Sequence, residues 1–137
     1  MLDKIFLDTN ILLYAYSEDE VDKQSIALKH LEGTDVIISK QVINELTNIL
    51  FKKFKLSAEE IEDALLELDT VFSIADFDIS TQIKAVRIKE KYHLQFYDSL
   101  IVATALENKC TILLSEDMHH NQVIDGKLTI VNPFVNV

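Results

Sequence analysis

Short apolar runs alternate along this chain with stretches whose apolar residues recur every three or four positions. KIFLD (4–8), DVIIS (35–39), VFSIA (71–75), TILLS (111–115) and KLTIV (127–131) are the runs. Apolar strands separated by helices predict a parallel sheet covered on both faces, because a parallel pair needs a long crossover between its strands. The chain therefore reads as an α/β protein. Its 137 residues suit one domain, 1–137, with no repeat and no break that marks a second.

The helical stretches carry their own punctuation. NILLYAY (10–16) follows the first strand, with Asn10 as its expected N-cap. EVDKQSIALKHLE (20–32) has Val21, Leu28 and Leu31 at helical spacing. Ser39 is placed to cap a helix over 40–54 whose apolar side is Val42, Ile43, Leu46, Ile49, Leu50 and Phe54. SAEE (57–60) is a capping box, and the helix after it carries Ile61, Leu65, Leu68 and Phe72. With a hinge at 55–57 and no strand between them, these two helices are expected to form a hairpin. A helix after Asp78 is expected to turn Ile79, Ile83 and Val86 inward, and YDSLIVATALEN (97–108) to be a helix with little exposed surface.

Composition narrows the function classes. Thirteen Lys and Arg against 23 Asp and Glu give a formal net charge of −10. That opposes nonspecific, counterion-driven binding to nucleic acid, yet leaves room for a local basic face or for bound cations. Cys110 is the only cysteine, so an intrachain disulfide and a cysteine–histidine zinc cluster are both excluded; a quiet buried thiol is expected. The opening residues enter a strand directly, and no apolar run approaches membrane-spanning length. A soluble, cytoplasmic protein without membrane attachment is the expectation.

Four carboxylates stand beside core sequence rather than on solvated faces. Asp8 closes the first strand, and Asp117 lies two residues past TILLS. In a parallel sheet the residues beyond C-terminal strand ends gather along one edge, where ligands bind. Asp98 opens a nearly all-apolar helix, and Glu45 shares a helix side with Gln41 and Asn48. Singly, each has a structural reading: an Asx-turn, a cap, a surface glutamate, a turn residue. Together they repel unless protons or metal ions compensate them. Oxygen donors suit Mg2+ or Mn2+ rather than zinc, and such ions support phosphodiester hydrolysis. Asn10 and Ser115 are suited to hold the carboxylates or a bound water.

FLDTN with two leucines after it, INEL around Glu45, FYDSLIVATAL around Asp98 and ILLSED around Asp117 together resemble the PIN-domain ribonucleases, and among them the small VapC-type toxins of toxin–antitoxin pairs. The resemblance runs end to end, carried by the order and spacing of four blocks. It implies a three-layer α/β/α sandwich around a mainly parallel sheet of four to five strands. It also implies Mg2+- or Mn2+-dependent cleavage of RNA, with Asp8, Glu45, Asp98 and Asp117 as the acidic catalytic and metal-binding set. Asn10 and Ser115 fall on the supporting positions. A homodimer and a cognate antitoxin, whose basic side chain enters the acidic groove, are further implications.

One departure is visible. MHHNQV follows Asp117 where the family commonly has an acidic or aromatic residue, so a fifth acidic ligand is not expected. Glu116 is expected to point away from Asp117, and His119 and His120 to be loop residues. RNA needs a positive approach, for which Lys52, Lys53 and Lys55 in FKKFK and Arg87 in RIKEK are the candidates. Phe51 and Phe54 are expected to face the core or a partner. Two other functions compete: a catalytically weak PIN-fold binding module, and a metal-dependent nuclease acting on another nucleic acid.

Overall fold

The computed structural model describes residues 3–16, 21–31 and 35–135. Its elements run β1 (Lys4–Leu7), α1 (Thr9–Tyr16), α2 (Val21–Leu31), β2 (Asp35–Ser39), α3 (Lys40–Lys52) and α4 (Ala58–Val71). Then come β3 (Ser73–Ala75), α5 (Ile79–Tyr92), α6 (Phe96–Glu107), β4 (Ile112–Leu114), β5 (Val123–Ile124) and β6 (Leu128–Val131). The strands form one sheet in the order β3-β2-β1-β4-β6-β5. All neighbours pair in parallel except β5 with β6.

Consecutive residues of the central strands are buried: Ile5, Phe6 and Leu7 in β1, and Leu113 and Leu114 in β4. Successive side chains of a strand point to opposite faces, so this pattern requires cover on both. The register is fixed by Phe6 opposite Ile37 on one side and Leu113 on the other. The fold is thus the mainly parallel α/β arrangement expected, with one strand more. β5 is only two residues long and follows from a tight turn, not from an apolar run. Asp125 and Gly126 both have positive φ (52° and 67°), and the Lys127 N–H donates to the Ile124 carbonyl. Asp-Gly in that conformation is a preferred hairpin turn.

Local capping follows the sequence at three helices. Ser39 accepts from the Val42 N–H at 3.1 Å, opening α3. Because Ser39 is fully buried, Ser39→Ala is expected to destabilise the protein by about 1 kcal/mol, read as a lower urea midpoint with an unchanged slope. Ser57 and Glu60 form the expected reciprocal box on α4, and Asp78 caps α5. α3 ends at Lys52, and Lys55 has a positive φ of 52° in the hinge. Phe72 is already extended, and its N–H closes α4 on the Leu68 carbonyl.

Two expectations are corrected and a third is narrowed. Asn10 is not an N-cap: α1 starts at Thr9, and Asp8 precedes it with its carbonyl accepting from Leu12 N–H. Ile79, Ile83 and Val86 are 69, 54 and 57% exposed. α5 instead turns Thr81, Ala85 and Ile88 inward. Small Ala85 permits a close approach, and Thr81 Oγ1 donates to Glu107 Oε2 of α6 at 2.7 Å. Of the two places expected for Phe51 and Phe54, the core is ruled out: Phe51 is half exposed and Phe54 partly exposed, and neither packs against it. The side chains of Val21, Leu28 and Leu31, with Glu20 and Glu32 at the ends of the second expected helix, lie outside the described residues. Among the described residues no helix is long and apolar enough to cross a membrane. Cys110 is buried, and burial raises its thiol to about 11, so it is inert near neutral pH.

Candidate active site

The C-terminal ends of β1 and β4 lie side by side. Leu7 pairs with Leu114, and the Asp8 N–H continues the ladder by donating to the Leu114 carbonyl at 3.0 Å. This sets Asp8 beside Ser115, whose Oγ donates to Asp8 Oδ2 at 2.9 Å. The same Oγ accepts from the Met118 N–H, which folds the chain after β4 back over the strand end. Asp8 Oδ1 accepts from the Thr9 N–H at 2.7 Å. Both oxygens of a carboxylate that is only 7% exposed are therefore satisfied.

Thr9 also reaches the next element. Its hydroxyl donates to Glu45 Oε2 at 2.5 Å, while Gln41, one turn earlier on α3, donates from Nε2 to Glu45 Oε1 at 3.0 Å. The Gln41 amide makes a second contact, to the Tyr97 carbonyl in the first turn of α6 at 3.3 Å. Asp98 follows in that turn and accepts no hydrogen bond from the described residues. On the outer side, Asn10 Nδ2 donates to Asp117 Oδ2 at 2.8 Å. Six of the sequence-derived residues thus meet at one sheet edge: Asp8, Asn10, Glu45, Asp98, Ser115 and Asp117. Thr9 was not among them, although it lies between Asp8 and Asn10.

The electrostatics record the crowding. Burial pushes Asp8 up to about 6, against the pull of the Thr9 and Ser115 hydrogen bonds, and the charges of Asp98 and Glu45 add to the rise. Asp98 is likewise raised, first by burial and then by Asp117 and Glu45. No cation neutralises the group: the three ion pairs among the described residues, Lys23–Glu116, Lys40–Asp76 and Lys91–Asp125, involve none of these carboxylates.

A titration consequence follows. A carboxyl raised on folding binds more protons in the folded than in the unfolded state between about pH 4 and pH 6. Its contribution to stability is present at the acid end of that window and is lost as pH climbs through it, a swing of about 3 kcal/mol. In EDTA, Asp8→Asn is therefore expected to match the wild type at pH 4 and to exceed it at pH 8. Urea midpoints at the two pH values check this; an advantage at pH 4 that vanishes at pH 8 would reverse the sign.

The remaining candidates are placed differently. Lys52, Lys53, Lys55 and Arg87 are exposed, and none makes an ion pair or hydrogen bond to the cluster. Lys52 stands seven residues after Glu45, which brings it to the same side of α3 two turns away. Lys53 caps the end of α3 and lies over the Phe54 ring. Glu116 pairs with Lys23 at 2.9 Å, beside Tyr14 and Phe134. His120 is a loop residue whose Nδ1 accepts from the Asn132 N–H, and His119 is exposed.

The donor set is all oxygen, which suits Mg2+ or Mn2+. Among the described residues no three of its side chains converge closely enough to hold one ion. Three of the four carboxylates are held by Ser115, Thr9, Gln41 and Asn10 instead. In chemistry and repulsion the group fits a divalent cation, and the supporting hydrogen bonds fix where the acids stand.

Fold and site together define a class: parallel α/β proteins that collect acids from separated segments at the C-terminal edge of the sheet. The chain belongs to the PIN domain family, whose sequence model matches residues 5–125. PIN domains are generally nucleases. Among curated proteins no significant match is found. Among solved structures the chain resembles one in a toxin–antitoxin complex from Klebsiella pneumoniae, at 23% identity and a TM-score of 0.71, covering 95% of this chain and 98% of that one. It also resembles FitAcB from Neisseria gonorrhoeae (17% identity, TM-score 0.66, 96% and 99% covered). A third is VapC20 from Mycobacterium tuberculosis, described as a Sarcin-Ricin loop cleaving toxin (16%, 0.63, 82% and 91%). At these identities the likeness concerns the fold.

Proposed function

We propose that this protein is a divalent-metal-dependent endoribonuclease and the toxin of a toxin–antitoxin pair. One observation carries the reading: four carboxylates from four separated segments share one sheet edge, no Lys or Arg among the described residues pairs with them, and two of them are pushed up by burial and by the charges of the others. A fold gains no stability from such repulsion, so the arrangement makes sense as a site for positive charge.

In this reading Asp8, Glu45, Asp98 and Asp117 hold Mg2+ or Mn2+. Ser115 and the Thr9 N–H orient Asp8, while Asn10 orients Asp117. The bound metal supplies an activated water and charge stabilisation for phosphodiester hydrolysis, leaving 5′-phosphate and 3′-hydroxyl ends. Asp117, the exposed member, faces the side from which a polyanion arrives, and Lys52 offers positive charge along the same side of α3. Lys53, Lys55 and Arg87 serve RNA only if the strand extends past that helix. An antitoxin partner belongs to the same reading, supported by the toxin–antitoxin structures that share the fold; a basic antitoxin side chain would meet the acidic edge favourably. The proposed homodimer rests on the resemblance to the family.

A second reading, a catalytically weak binding module, is favoured by the exposed Ile79, Ile83 and Val86 on α5. Cleavage of structured and single-stranded RNAs and of single-stranded DNA, with Mg2+, Mn2+ or EDTA, separates the cases. RNA cutting that needs the metal supports the ribonuclease. Folded protein that binds Mn2+ and cuts only DNA would reassign the substrate, and protein that binds no Mn2+ would leave the binding module.

A further inference from the structure

Gln41 is a polar side chain buried to 8% exposure on a helix whose other buried residues, Val42 and Leu46, are apolar. A glutamine amide nitrogen has two hydrogens, and here both have acceptors on different elements. One goes to Glu45 Oε1 at 3.0 Å within α3, the other to the Tyr97 carbonyl at 3.3 Å in the first turn of α6. A backbone carbonyl has two lone pairs, so Tyr97 can accept this bond without giving up its place in the helix.

The other oxygen of Glu45 is held from the opposite side by Thr9, whose N–H also holds Asp8. The contacts form one path, Asp8 to Thr9 to Glu45 to Gln41 to Tyr97, ending one residue before Asp98. Thr9 thereby joins two of the acids, and Gln41 carries the path from α3 to the α6 backbone next to Asp98.

We infer that Gln41 is a positioning residue that sets the Glu45 carboxylate against the Asp98 end of α6 before any cation arrives. This rests on the metal-site reading above, and the test keeps the two apart. The probe is Mn2+ alone, titrated into the full chain by calorimetry well below the melting temperature. The proteins are wild type, Gln41→Met, which keeps the volume and loses both donors, and Thr9→Val, which releases the other Glu45 oxygen.

Loss of a supporting hydrogen bond to a metal ligand typically weakens metal affinity about 10- to 100-fold. That loss is expected in Gln41→Met, with a smaller one in Gln41→Asn, which is too short to reach both acceptors. RNA cleavage should fall in kcat with KM for RNA unchanged. A purely structural amide would lower the melting temperature and leave Mn2+ affinity alone. Should Gln41→Met not fold, Gln41→Asn and Thr9→Val carry the comparison. Wild-type affinity in the folded Gln41 variants overturns the inference while the metal site stands. A wild type that binds no Mn2+ overturns the metal site, and the inference with it.

Discussion

Asp98→Asn is expected to reduce Mn2+-dependent RNA cleavage by more than about 100-fold, beyond the usual cost of losing a supporting residue. Of the four carboxylates, Asp98 is the one without a hydrogen bond among the described residues, and its neighbours Asp117 and Glu45 repel it. Its charge therefore does no structural work that an isosteric amide would undo. The same substitution is expected to leave the melting temperature in EDTA unchanged or slightly higher, since one repelling charge is gone. The pairing of lost activity with retained stability makes the result diagnostic. A variant that cuts at the wild-type rate would remove Asp98 from the site, and one that fails to fold would return it to a structural part.

Phe6→Ala is expected to cost about 3 to 5 kcal/mol of folding stability. Phe6 is fully buried in β1, its side chain standing off the sheet beside those of Ile37 and Leu113 in register with it, so the space it leaves lies between the sheet and the layer packed over it, which closes in only in part. A domain of this size has about 5 to 15 kcal/mol in total, so the variant would sit at or near the folding threshold. Urea denaturation followed by circular dichroism measures it. A shift below about 1 kcal/mol would mean that the helices over the sheet collapse into the space. Activity should fall only as far as the folded fraction does.

Much of this architecture was written locally. β1, β2 and β4 are apolar runs with sharp ends, and Ser39, Ser57 and Asp78 announce their helices through side-chain chemistry that acts within three residues. What spacing does not reveal is which side of a helix turns inward. Ile79, Ile83 and Val86 share a stripe on α5, but so do Thr81, Ala85 and Ile88; the choice was made by α6, a different segment. β5 was missed for a related reason. Two residues carry no period, although the Asp-Gly pair that creates the strand was in plain view.

The site divides in the same way. Asp8 and Asp117 could be placed together because strand ends in a parallel sheet share an edge, and Glu45 and Asp98 joined them through the order of the four blocks. The contacts between these residues are another matter. Asn10 was expected both to cap a helix and to support a carboxylate; Asp8 took the first place, and the Asn10 amide donates to Asp117, 107 positions away, a partner that no local pattern names. Thr9 gave no outward sign, since its work is done by one hydroxyl pointing at an element 36 residues on. Gln41 shared a side with Glu45 in the sequence, but its second acceptor, a backbone carbonyl of α6, is invisible to any residue pattern.

Both border strands of the sheet are short: β3 has three residues, and β5 has two and runs antiparallel to its neighbour. The apolar strands β2, β1, β4 and β6 lie between them, each paired on both sides. A second molecule seeking to extend the sheet would meet only a few free amides and carbonyls before the chain turns away into a helix or a tight turn. Strand-on-strand growth into fibrils therefore has little template at either border, and an apolar parallel sheet stays a closed object even where its protein is abundant.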